Sequence, residues 1–85
     1  MSAKFFEYRG FEVTAFAESS FTGLWIAAYH AFPLDESAET VLSCRILCDG
    51  QKHKLVRSAE EATDEAAALA RAAIETKLAI ASLRI

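Results

Sequence analysis

The chain is built from two materials that do not mix. All nine aromatic residues lie between Phe5 and Phe32, while ten of the 23 residues from Ala59 to Ala81 are alanine. Bulky, β-favouring residues come first and strong helix formers last, so strands followed by a single helix satisfy both halves. With 85 residues the chain makes one domain, and a domain of this size buries only about 60–65% of the surface its unfolded form exposes. The expected fold is α+β: a four-stranded antiparallel meander (ββββα) with one long C-terminal helix packed across one face.

Period-two patterning and turn residues place the strands at about 11–17, 23–32, 41–48 and 51–57. "FEVTAFA" alternates, with Phe11, Val13, Ala15 and Ala17 on one side and Glu12, Thr14 and Phe16 on the other. "ESSFTG" supplies turn residues before "GLWIAAYHAF", and Pro33 closes that strand because proline cannot donate to a ladder. In "VLSCRILC" the more apolar side carries Leu42, Cys44, Ile46 and Cys48. Asp49-Gly50 fits a two-residue type I′ hairpin, which would pair Cys48 with Gln51, Ile46 with His53 and Cys44 with Leu55. Lys52 and Lys54 would then discourage further pairing at an edge.

Ser58-Ala-Glu-Glu61 has the form of a capping box, so the helix is expected over about 58–83. Acidic residues crowd its first turns and Arg71, Lys77 and Arg84 follow, which suits the helix dipole. Its apolar stripe runs through Ala62, Ala66, Leu69, Ala70, Ala73, Ile80 and Ala81. A stripe rich in alanine lets a helix lie close to a sheet that supplies the bulk.

Gly23 to Phe32 is apolar on both sides, so one helix cannot cover everything. If Leu24, Ile26 and Ala28 meet the helix, then Phe16, Trp25 and Tyr29 form an aromatic patch on the open face. If the strand is turned over, Leu24, Ile26 and Phe32 are exposed instead. The helix also outruns the sheet, since about 26 residues span roughly 39 Å and eight strand residues only about 27 Å. The segment "FFEY" (5–8) or another copy of the protein would have to pack on the overhang. Exposed apolar surface of this kind marks contact sites, so a non-catalytic interaction module forming a homodimer is expected, with Phe16, Trp25 and Tyr29 as its contact residues.

Other chemistry finds little support. Cys44 and Cys48 on one strand would sit about 13 Å apart, too far for a disulfide. With His53 and Asp49 they make a partial metal-ligand set lacking a second close-spaced pair, so no metal is expected. Cys44 or Cys48 could be paired on paper with His30 or His53, but no nucleophile elbow or helix start activates either thiol, and no catalytic residue or cofactor is expected. Trp25, Tyr29, Arg45, Lys52 and Lys54 could serve a base-stacking face, the alternative reading, but a net charge of −3 with Glu12 and Glu18 nearby opposes nucleic acid. The longest stretch without Lys, Arg, Asp or Glu, Ser19 to Leu34, has 16 residues and is too short and polar for a membrane span. "MSAKFFEYRGFEV" has no apolar signal core, and reduced thiols fit a cytoplasmic setting.

"YRGFEV", "WIAAYHAF" and "SAEEATDEAAALARAAIE" resemble the layout of small bacterial proteins of unassigned function, a β-meander followed by one alanine-rich helix. The strands followed by an "(S/T)xEEA" helix are also similar to antitoxin domains of the HicB type. That group's acidic "pDlpGc" segment is replaced here by "PLDESAET", and neither resemblance carries functional residues over.

Overall fold

The computed structural model describes residues 3–20, 22–35, 41–51 and 55–83. Four strands, β1 (Ala3–Tyr8), β2 (Phe11–Ser19), β3 (Trp25–Pro33) and β4 (Leu42–Leu47), precede one helix, α1 (Ala59–Ser82). The strands form one sheet in the order β1-β2-β3-β4, with every neighbouring pair antiparallel. The fold is thus the expected antiparallel meander followed by a helix. Its membership differs from the sequence-based expectation at both edges, with a strand gained beside β2 and none formed by the described residues of 51–57 beside β4.

The first strand, Ala3–Tyr8, contains the segment 5–8, one of the two candidates for packing on the helix overhang, and pairs at the sheet edge instead. Conversely, Gln51 and residues 55–57 form no strand, while 52–54 lie outside the described residues. The reason is local. A type I′ turn needs positive φ at both central residues. Gly50 has it, at +85°, but Asp49 does not. Asp49 instead accepts a hydrogen bond from the Gln51 amide at 2.9 Å, an Asx-type turn. The chain then returns so that Val56, fully buried, donates to the Cys48 carbonyl at 3.5 Å. Cys48 therefore does not pair with Gln51, nor Cys44 with Leu55; His53, the expected partner of Ile46, lies outside the described residues. The two-residue hairpin turn is Arg9-Gly10, at φ +48° and +86°, joining Tyr8 to Phe11.

Register settles which side of β3 meets the helix. Ala15 pairs with Tyr29 and Val13 with Ala31, and directly paired residues share a face. Because Val13 and Ala15 lie under α1, the other side of β3 follows them: Trp25, Ala27, Tyr29 and Ala31. The aromatic side chains fill what the helix alanines leave empty. One buried cluster joins Ala15, Ala27, Cys48 and Val56 to Ala62, Ala66 and Ala67, with Trp25 packed against it. The second joins Phe11, Val13, Tyr29 and Ala31 to Ala70 and Ile74.

The Ser58 hydroxyl accepts from the Glu61 amide at 3.2 Å and starts α1. Lys4 pairs with Asp64, and Arg9 with Glu75 at 2.8 Å, while the Tyr8 hydroxyl donates to Glu75 at 3.1 Å. These contacts tie the helix, which lies over β2 and β3, to the edge strand β1. Beyond Leu78, which still packs on the second cluster, the helix leaves the sheet: Ile80 is 51% and Leu83 83% exposed.

Candidate interaction surface

The side of the sheet turned away from α1 is open among the described residues. Its rows follow from the ladder. Phe5, Thr14, His30 and Ser43 lie side by side, as do Ala3, Phe16, Ala28 and Arg45. Glu7, Glu12 and Phe32 form a third row, and Glu18, Ile26 and Leu47 a fourth.

Aromatic groups dominate the middle. Phe16 stacks on His30 with ring centres 5.6 Å apart, and His30 meets Phe32 at 6.3 Å. Phe5 is 76% exposed and Phe32 49%. Ala28 is completely covered although it faces outward, because the larger side chains around it close over an alanine at the sheet's centre. At one end Arg45 pairs with Glu18. At the other, Glu7 stands directly opposite Glu12, and among the described residues no cation pairs with either; the nearby Arg9 is turned to Glu75 on the helix side.

Of the contact residues expected from sequence, the structure brings only Phe16 to this face. Trp25 is half-buried and Tyr29 nearly fully buried beneath the helix, so the aromatic patch is Phe5, Phe16, His30 and Phe32. Arg45 is here and ion-paired; Lys52 and Lys54 lie outside the described residues. Phe5 was missed because "FFEY" lacks alternation, although Arg9-Gly10 between two β-favouring runs was the available signal.

The reactive groups are arranged for packing. Cys44 and Cys48 are free thiols, and burial pushes the Cys48 thiol above its ordinary value, the opposite of activation. Burial likewise raises the Tyr29 phenol, while donation to Glu75 raises that of Tyr8. Among the described residues no group of three or more His, Cys, Asp or Glu could hold a metal ion, and no helix is long and apolar enough to cross a membrane. A groove of about 580 Å³ runs between the last turns of α1 and β4, lined by Leu42, Ala73, Thr76, Lys77, Ile80 and Ala81. Among the described residues its lining holds no carboxylate, imidazole or thiol.

No family model, curated protein or solved structure matches the chain.

Proposed function

We propose that this protein is a non-catalytic protein-interaction module that self-associates, and that the open face of its sheet is the contact surface. One observation carries the reading: exposed Phe5 and Phe32 flank a stacked Phe16–His30 pair on a sheet face that no described element covers. Exposed apolar groups clustered in this way, rimmed by charge, characterise docking sites. Phe16 remains in the contact set, and Phe5 and Phe32 take the places expected for Trp25 and Tyr29. The nucleic-acid reading gains nothing from this surface, because Arg45 is ion-paired and Glu7 and Glu12 stand beside the aromatic rings.

Four strands by three or four outward residues make a face of roughly 15 by 20 Å. That area places a pair of copies at the small end of specific interfaces, below about 1,200 Å² in total, so a weak, concentration-dependent dimer is expected. Light scattering across a concentration series tests it. Mass should rise towards twice that of the monomer, and Phe5→Ser with Phe32→Ser should hold it at the monomer value. A wild-type mass that never leaves the monomer value would remove the proposal.

A further inference from the structure

We infer that the two copies meet with their two-fold axis along the Phe16–His30 line, so that Arg45 of each protomer answers the partner's Glu7 and Glu12. The inference rests on the self-association proposed above and specifies its geometry. Its starting point is a conflict within one copy. Glu7 and Glu12 are directly opposed on the open face, an arrangement that costs stability when like charges stand across a ladder. Arg45, on the far corner of the same face, has only one guanidinium nitrogen engaged, by Glu18, and its side chain is 66% exposed. A guanidinium carries five N–H donors, so it can keep Glu18 and donate to further carboxylates.

Two copies docked face to face are related by an axis lying in the plane between the sheets, and the rows of the ladder limit the choice. An axis along the strands brings Glu12 of one copy over Phe32 of the other. An axis across the strands brings Glu12 over Glu18. The diagonal through Thr14 and Ala28 brings the Glu7–Glu12 corner onto itself. The diagonal through Phe16 and His30 alone exchanges the acidic corner with Arg45. With strands about 4.8 Å apart and outward residues repeating every 6.8 Å or so, both carboxylate positions fall about 5 Å from Arg45 in projection.

The same operation fits the apolar groups. The projecting Phe5 ring comes nearest the partner's Arg45, between Ala28 and Leu47, where a guanidinium can stack on the ring, and Phe32 comes over Ser43. The Phe16–His30 pair lies on the axis and packs against its own copy. The strands of the two sheets then cross at roughly 70°, nearer the orthogonal class of sheet packing than the aligned one. Among these four axes through the centre of the face, charge selects one.

A charge-swap pair tests it. One variant carries E7K and E12K; the second carries E18K and R45E, which reverses the intrachain ion pair without removing it. All four positions are on the exposed face, and circular dichroism with thermal melting checks that each variant folds. By sedimentation, each variant alone should dimerise at least roughly tenfold more weakly than wild type, because like charges then face each other across the interface. An equimolar mixture should recover an affinity near wild type, since the heterodimer restores both contacts. As a second measurement, E7Q with E12Q should flatten the salt dependence of dimerisation. Variants that self-associate as tightly as wild type, or a mixture no tighter than its components, would overturn this orientation while wild-type dimerisation stood. A monomeric wild type would instead remove the underlying self-association.

Discussion

Gly10 decides which strands make the sheet. It takes φ +86° after Arg9 at +48°, and a Cβ added at Gly10 would meet nothing within 4 Å. The cost of Gly10→Ala is therefore a backbone cost, about 1–2 kcal/mol for an L-residue held left-handed. Urea denaturation should show that loss; an unchanged midpoint would mean the hairpin tolerates another turn. Cys48 gives a second residue-level expectation. Its thiol is fully shielded, and burial raises it above the ordinary 9.0. Below that value the thiol is protonated in both the folded and unfolded chain and adds no pH dependence. As pH rises past it, the unfolded chain ionises while the native thiol stays neutral, so stability falls. Between about pH 8 and pH 10 the wild type should lose stability more steeply than Cys48→Ala. Parallel slopes would show that the native thiol ionises freely.

The helix reads differently along its length. Ile74 is fully buried in the second core cluster, and Ile74→Ala should cost about 2–5 kcal/mol. Leu83 is 83% exposed, and Leu83→Ala should stay within about 0.5 kcal/mol. Equal losses in denaturant titrations would mean that the helix end is packed after all. The contrast also shows what the sequence disclosed. Ser58 as the cap, the buried Ala62, Ala66 and Ala70, and the alternation of β2 were legible, because each depends on neighbours close in the chain. The inner side of β3 was not, since both of its sides are apolar and only pairing with Val13 and Ala15 chooses between them. That choice moved Trp25 and Tyr29 from the contact surface into the core. Asp49-Gly50 misled because a hairpin preference is worth little against burying Val56 and starting α1 at Ser58. Arg9-Gly10 passed unnoticed because arginine is an uncommon residue at positive φ.

At the scale of the whole molecule the protein is thin, 45 × 24 × 16 Å, as one helix on one sheet must be. Antiparallel sheets can leave a face to water when that face is polar. Here its middle is aromatic, and docking a second copy would give four layers, helix–sheet–sheet–helix, with Phe5 and Phe32 inside. Such a coupling has a thermodynamic signature separate from mass. Association that occurs only in the folded state adds stability as concentration rises. For a domain of this size each kcal/mol gained moves the melting temperature by roughly 4–8 °C. The wild type should therefore melt several degrees higher when its concentration is raised a hundredfold through the dimerisation range. Phe5→Ser with Phe32→Ser should melt at one temperature throughout, matching dilute wild type, because both rings lie outside the monomer's core. If the double variant instead melts far below dilute wild type, these rings stabilise the single copy, and the open face is part of the monomer's own packing.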